Sequence, residues 1–412
     1  MLIDRLQTGG PGQVNINTEK IYELGNYQSV GSVQDIPDLS FSMESFDVSA
    51  EMEAILVGGG FNIGTGAMTD ADGTKYDLNA SKPIDVVQAF KAGKTAAAPF
   101  SVVGSVALPY LVCESVSYRF GLRENASQTA TLRGDQIIYV AGSMFVEQTV
   151  GTNAANQVIA LPNNVFPNND EGGTPRYALS VSLVSGKRLV RGVDYTEATT
   201  GVANAAGAFP VSVTIINAVP ATDSIRIVYA SDAASTHPQA SHAAASATRP
   251  AAIRGRNIKV YVGGDGDPDD ATRLVGVQSV NVDWRVNLDR DEEFGNPSII
   301  GQDYDVPEVT GSVEVKPRDP LELINQIKRF SGVSLASAES VGALRRVPLP
   351  LRIDLTSPDT GVVLKTLFMP NARFSVPGFS GRVQTKQNVT FQFEEDGGVL
   401  EVYKGPKALV TP

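Results

Sequence analysis

The residues that could do chemistry are few in this chain and poorly placed for it. His237 and His242 both fall in "SDAASTHPQASHAAASATRP", Ser231 to Pro250, an Ala-, Ser- and Thr-rich stretch. It reads as a flexible or extended linker, where no rigid element would hold a base within reach of a nucleophile. Cys113 is the single cysteine, which allows no disulfide within the chain and no cysteine metal cage. "AGKT", Ala92 to Thr95, ends like a phosphate-binding loop, but Gln88 stands where that loop needs its first glycine. "VGGGFNIGTG", Val57 to Gly66, follows a helical signal instead of joining a strand to a helix, and reads as a loop. "DADG", Asp70 to Gly73, and "GGDGDPDD", Gly263 to Asp270, gather the carboxylates a hard cation wants. Neither has the spacing or terminal Glu of a calcium loop, so both read as hairpin turns. The expectation is a non-enzymatic protein with no catalytic, cofactor-binding or metal-ligating residues.

Charge is the stronger signal. The net charge is -11, and between Asp265 and Asp305 eleven carboxylates face only Arg273, Arg285 and Arg290. Gripping a nucleic-acid backbone needs clustered Lys and Arg, so the charge argues against a DNA-binding role. It does not exclude a surface past which DNA slides without adhering. Within this segment Asp289, Asp291, Glu292 and Glu293 form the densest acidic run. They are the candidates for a surface that faces a polyanion or another subunit; the plainer reading is a solvated hairpin tip.

The elements that would carry these residues are strands. The chain has 412 residues, 42% hydrophobic and 19% charged, with Gly 39 and Pro 24. That is a folded chain of two or three domains built from strands and turns. No basic leader with an apolar run opens it, and no segment approaches 18 consecutive apolar residues, so neither signal-directed secretion nor a membrane-spanning helix is expected.

One stretch occurs twice. "GNYQSVGSVQDIPDLSFSME", Gly25 to Glu44, falls without gaps on "GNPSIIGQDYDVPEVTGSVE", Gly295 to Glu314, with seven of twenty positions identical. Gly25, Asn26, Pro37 and Glu44 meet Gly295, Asn296, Pro307 and Glu314. Leu39, Phe41 and Met43, and in the second copy Val309, Val313 and Val315, alternate with polar residues as half-buried strands do. A helix follows each. In "SAEMEAILVGG" Ser49 is the expected cap, Met52, Ile55 and Leu56 the apolar stripe, and Gly58 the stop. In "RDPLELINQIKRFSG" Asp319 caps and Pro320 opens the helix. "SVSYRFGLR" then places Val116, Tyr118, Phe120 and Leu122 on one face, "NVTFQFEE" does likewise, and "TATLRGD" and "TFQFEED" close the two copies alike. Three further alternating strands between about Val150 and Ser231 have no partner in the second copy. The expected organisation is a first domain over 1–149, an inserted β-module over 150–231, a linker over 232–252 and a second domain over 253–412.

The pattern "LVGVQSVNVDWRVNLDRDEEFGNPSIIGQDYDVPEVTGSVEVKPRDPLELI" resembles the opening part of the major tail tube protein of long-tailed, siphovirus-type bacteriophages. "MPNARFSVPGFSGRVQTKQNVTFQFEEDGGVLEVYKG" resembles its closing strands. The resemblance covers Ile253 to Gly405, and more weakly Asp4 to Val140 through the repeat. It implies a mainly β fold of two tandem tail-tube-type sandwich or barrel domains, each with a short α-helix. It also implies subunits joined edge to edge into stacked rings that conduct DNA to the host. Six tube domains per ring is usual in the family, so a duplicated chain would form homotrimers. Other implied partners are tail tip, tail terminator and tape measure proteins, with DNA passing unbound and no membrane contact. The place would be the virion tail, and the host cytoplasm during assembly. The first copy lacks a counterpart of "RNIKVYVGG", Arg256 to Gly264, and the inserted module departs from the minimal family pattern. Such a module projecting outward would favour a non-contractile tail. Another phage β-sandwich component, of baseplate or capsid decoration, would share the strand pattern without stacking into rings; an enzyme using a carboxylate pair is the remaining alternative.

Overall fold

The computed structural model describes residues 6–15, 18–21, 31–34, 38–46, 49–58, 61–62, 67–68, 70–92, 101–140, 143–169, 175–231, 233, 252–263, 272–291, 301–316, 325, 328, 348–375 and 388–407. The chain is mainly β. Its first unit holds β1 (Leu6–Asn15), β2 (Thr18–Ile21), β3 (Gly31–Gln34) and β4 (Asp38–Phe46), then helix α1 (Glu51–Val57). It continues with β5 (Phe61–Asn62), β6 (Ala67–Met68), β7 (Lys75–Asp77), β8 (Ile84–Ala92), β9 (Ser101–Gly121), β10 (Ser127–Gly134) and β11 (Ile138–Val140). In β4 the expected alternation holds: Leu39, Phe41 and Met43 are buried while Ser40, Ser42 and Glu44 are exposed.

Two local expectations are corrected. α1 begins at Glu51 behind Ala50, which makes no side-chain cap bond, so Ser49 does not cap it; Gly58, at φ 77, ends it as expected. Leu122 is exposed, because β9 ends at Gly121 and the chain turns there toward β10. In the second helical segment only Asn325 and Lys328 are described, both helical; Asp319 and Pro320 lie outside the described residues.

Strand β9, 21 residues long, serves two neighbourhoods and bends between them. Before the bend it pairs with β8 and β11, and beyond it with β10. The bend is Pro109–Tyr110, where Tyr110 sits at φ 56, a left-handed conformation costing a non-glycine residue about 1–2 kcal/mol. Its surroundings hold it there. The backbone N–H donates to Asp85 Oδ1 at 2.9 Å, and the hydroxyl donates to the Gly186 carbonyl.

The inserted module comprises β12 (Ser143–Val150), β13 (Gln157–Ala160), β14 (Asn168–Asn169), β15 (Pro175–Arg176), β16 (Ala178–Leu183), β17 (Tyr195–Thr199), β18 (Val211–Ile215) and β19 (Ser224–Ser231). Sheets β12-β19-β16 and β13-β18-β17 enclose a core of their own, with Val165, Val181, Val213, Ile225 and Ile227 at its centre. β12 pairs with β19 along its whole length, so residues from 143 onward belong to the module by pairing. The module docks on the first unit through Met144, Leu179 and Val228 around Ala107. Two ion pairs fasten it, Arg188 to Asp135 at 2.7 Å and Arg226 to Asp85 at 2.6 Å.

The second unit holds β20 (Ile258–Val262), β21 (Thr272–Arg273), β22 (Val277–Arg285), β23 (Leu288–Asp291), β24 (Gly301–Tyr304), β25 (Glu308–Val315), β26 (Leu349–Thr356), β27 (Val363–Phe374), β28 (Val389–Glu395) and β29 (Glu401–Lys404). The principal sheet runs β1-β4-β10-β9-β22-β25-β28-β27-β26-β20-β21 across both units.

Within that sheet the two units repeat each other's pairings, apart from a second register slip between Pro11 and Val14 that the second unit lacks. Met43 pairs with Ala130 as Val313 pairs with Phe391. Arg133 pairs with Val112 as Glu394 pairs with Arg373, and Tyr139 with Val106 as Val402 with Leu367. Hairpin β2-β3 matches β23-β24, with Lys20 opposite Ser32 and Arg290 opposite Gln302. Even an irregularity is copied: the register slips between Leu6 and Thr8, and between Val277 and Ser279. A bulge is a specific local device, so its recurrence makes the duplication structural. β20 has no counterpart in the first unit among the described strands, in keeping with the sequence pattern.

Candidate functional site

The place where the two units meet is an antiparallel strand pair. β9 and β22 pair from Gly121 opposite Ser279 to Ser115 opposite Arg285. On one side of this seam Val116, Tyr118 and Phe120 sit opposite Trp284, Val282 and Val280, all buried. One apolar cluster therefore runs through both units without interruption. Burying a side chain of this size is worth about 1.5–3 kcal/mol, so six of them make the seam a core contact.

The contact is head to tail. β22 is the register counterpart of β1, and the segment of β9 it meets is paired on its other side with β10. β1 itself pairs only with β4 among the described residues. The same spacing that carries Leu132 and Cys113 onto Phe393 and Phe374 would carry residues 115–121 onto 376–382, which lie outside the described residues.

Above the seam a buried polar cluster joins the units. Lys365 Nζ of β27 donates to Glu53 Oε1 of α1 at 2.7 Å and to Gln128 Oε1 at 2.9 Å, while the Tyr118 hydroxyl donates to Glu53 Oε1 at 2.6 Å. Both charged side chains are 0% exposed, and the ammonium lies 4.7 Å from the Tyr118 ring centre. A charge this deep persists only when paired and hydrogen-bonded. Nearby, Trp284 Nε1 donates to Asn79 Oδ1 at 3.0 Å, and β7 of the first unit pairs with β29 of the second. Burial pushes the Cys113 thiol of β9 well above its ordinary range, which leaves it a small apolar core residue.

The opposite side of the sheet is polar. A depression of about 500 Å³ crosses the seam there, lined among others by Arg119, Asn281, Asp283, Ser312, Arg373 and Gln392. Its charges are mixed. The acid excess stands instead on the β23-β24 arm, where Asp289, Asp291, Asp303 and Asp305 are exposed. Asp289 and Asp303 are direct cross-strand partners, an arrangement that costs stability by like-charge repulsion. Arg290 points the other way and pairs with Asp38 at the start of β4 in the first unit.

Of the sequence candidates, Asp289 and Asp291 are thus exposed on the arm, and Glu292 and Glu293 lie outside the described residues. Gly25, Asn26, Pro37, Gly295 and Asn296 also lie outside them. Pro307 precedes β25, Glu44 is exposed on β4, and Glu314 on β25 accepts from Ser279 Oγ at 2.9 Å and Asn388 Nδ2 at 2.8 Å. "DADG" packs against the second unit: Asp70 Oδ2 accepts from the Tyr76 hydroxyl at 2.9 Å, and Asp72 lies 3.7 Å from Lys404. His237, His242 and residues 264–270 lie outside the described residues. Among the described residues no group of three His, Cys, Asp or Glu side chains is placed to hold a metal ion, and no helix is long and apolar enough to cross a membrane.

Sequence reasoning passed over Glu53 and Lys365, and named Arg290 only as one of the few bases in the acidic segment. The one available signal was Lys365, a lone cation inside the largely apolar run "VVLKTLFM".

No protein family's sequence model matches the chain, and no curated protein matches it. Similar solved structures include a chain of the sheath–tube complex of the PVC extracellular contractile injection system in its extended state, at 19% identity and a TM-score of 0.22. The match covers 36% of this chain and 90% of that one. Another is the tube-terminating cap of the anti-feeding prophage, at 16% identity and a TM-score of 0.22, covering 38% of this chain and 94% of that one.

Proposed function

We propose that the chain is a structural subunit of a bacteriophage-type tail tube, whose copies join head to tail into rings that stack around a passage for DNA. The observation that carries this reading is the β9-β22 seam. A contact between unlike surfaces repeats wherever both of its halves remain open, and it closes into a ring when the rotation allows. The chain uses the contact once internally and leaves β1, the counterpart of β22, with an unpaired outer edge among its described strands. Pairing that edge with the next copy would remove an exposed sheet edge, which is otherwise a route to aggregation.

Six units per ring, as the family resemblance implies, makes three chains. The mixed-charge sheet face, the acidic arm and the net charge of -11 suit a passage that does not hold phosphates. Asp289, Asp291, Glu292 and Glu293 would then face the lumen or the next ring. The inserted module, packed on β8, β9 and β11, leaves the polar face of the seam open. A module carried on the tube's outside fits a non-contractile, siphovirus-type tail. Tail tip, terminator and tape measure proteins would be its further partners, in the virion and, during assembly, in the host cytoplasm. The reading assigns no catalytic role.

Negative-stain microscopy and sedimentation of the purified full chain test this. Rings or hollow cylinders are expected; a chain that stays monomeric at every concentration contradicts it.

A further inference from the structure

The two units repeat their contacts as well as their strands, and one contact crosses from the second unit back to the first. Arg290, on the arm between β22 and β25, pairs with Asp38, the first residue of β4. The register gives each a counterpart. Position 290 of the second arm corresponds to position 20 of the first, since Arg290 faces Gln302 as Lys20 faces Ser32. Position 38 corresponds to 308, since Asn15 faces Asp38 in β1-β4 as Arg285 faces Glu308 in β22-β25.

Both counterparts keep the charge: Lys20 stands for Arg290, and the exposed Glu308 for Asp38. Their surroundings keep it only in part: Glu19 stands for Asp289 and Asp35 for Asp305, whereas Ile21 and Val33 stand where the second arm has Asp291 and Asp303. Within the chain the second unit's arm reaches the unit before it. Repeated in the first unit, that geometry would carry its arm to a unit that one chain does not contain.

We propose that Lys20 of one copy forms an ion pair with Glu308 of the neighbouring copy across the junction between chains. The occupant of this surface is a second copy of the chain, selected by charge complementarity and by continuity with the internal seam. The inference rests on the head-to-tail reading above, and the Lys in place of Arg makes it a single-point contact without a guanidinium's fork.

The test uses the full chain with Lys20→Glu, Glu308→Lys and the double exchange, followed by sedimentation in low salt, where like charges repel most. Each single variant should keep the wild-type melting temperature as a monomer and lose about tenfold in assembled material, because like charges brought together at an exposed rim repel one another. The double exchange should recover to within about twofold of wild type, since the attraction is restored with its signs reversed. Carbodiimide coupling of the wild-type assembly should also join Lys20 and Glu308 peptides from different copies. Wild-type assembly with unaffected single variants, or a double variant no better than the singles, overturns the ion pair and leaves the ring reading standing. A wild type that never assembles overturns both.

Discussion

Set side by side, the two units agree at their strand registers and differ where they are covered. Phe41 and Leu132 face each other in the first unit; their counterparts are Gly311 and Phe393. The volume has moved across the strand pair: a Cβ added at Gly311 would lie 2.3 Å from the Asn281 carbonyl oxygen and 2.4 Å from Phe393 Cζ. On the closing strands, Val402 is fully buried beneath the contacts of the other unit, while its counterpart Tyr139 is 72% exposed. Gly104 stands where the second unit has Lys365, as Phe90 opposite Gly104 matches Leu355 opposite Lys365. Interior positions have diverged by compensation, which preserves the scaffold, whereas the Glu53–Lys365 pair marks the internal junction alone.

Breaking that pair should have the largest effect. Lys365→Ala leaves Glu53 buried without its cation and should cost about 3–5 kcal/mol in urea unfolding. Adding Glu53→Gln should recover part of that loss. If Lys365→Ala unfolds like wild type, the polar cluster does not hold the units together. Next, Gly311→Phe should cost about 1–3 kcal/mol by overpacking, and combining it with Phe393→Leu should recover only part of that loss, because the Asn281 carbonyl crowds the new Cβ as well. A double variant less stable than Gly311→Phe alone would show that the two sites are not interchangeable.

Smaller effects belong to the rim. Arg290→Ala should cost only about 0.2–1 kcal/mol in the monomer, because its partner Asp38 is well exposed; a much larger loss of melting temperature would place that pair in the core of the junction. For Glu401 burial acts to raise the pKa, but hydrogen bonds from Lys75 and Tyr403 outweigh it and hold the carboxyl below its ordinary value. Its contribution is therefore present above the ordinary carboxylate range and fades as pH falls through the lowered folded-state value. Lys75 is well exposed, so the effect is screened. Glu401→Gln should slightly flatten the acid limb of a stability–pH curve, and an unchanged limb would remove Glu401 from the account.

The strands and the duplication were legible in the sequence because both rest on alternation. Leu39, Phe41 and Met43 report a half-buried strand wherever they occur, and turn residues fix the offset. What alternation cannot convey is the partner across a junction. Trp284 and Val116 are far apart in sequence, and nothing local announces their pairing. Ser49 looked like a cap because its type favours caps, yet the helix begins behind Ala50 with no side-chain cap bond. Leu122 continued the period of β9 on paper, but the strand stops one residue earlier. The acidic run was visible as composition; that Arg290 turns inward from it to meet Asp38 required the fold.

One comparison between junctions remains open to direct measurement. The second unit carries Pro377, Gly378 and Gly381 where the seam strand of the first carries Val116, Ser117 and Phe120, so the junction between chains cannot duplicate every contact of the internal one. A reconstruction of the assembled particle in cross-section would count chains per ring and trace the strands at each boundary. The account predicts three chains in one continuous closed sheet, with the edge of β1 that is unpaired among the described residues joined to the neighbouring copy at the position where β22 meets β9. Rings whose chains touch only through the inserted module or the arms, with β1 left unpaired, would contradict it.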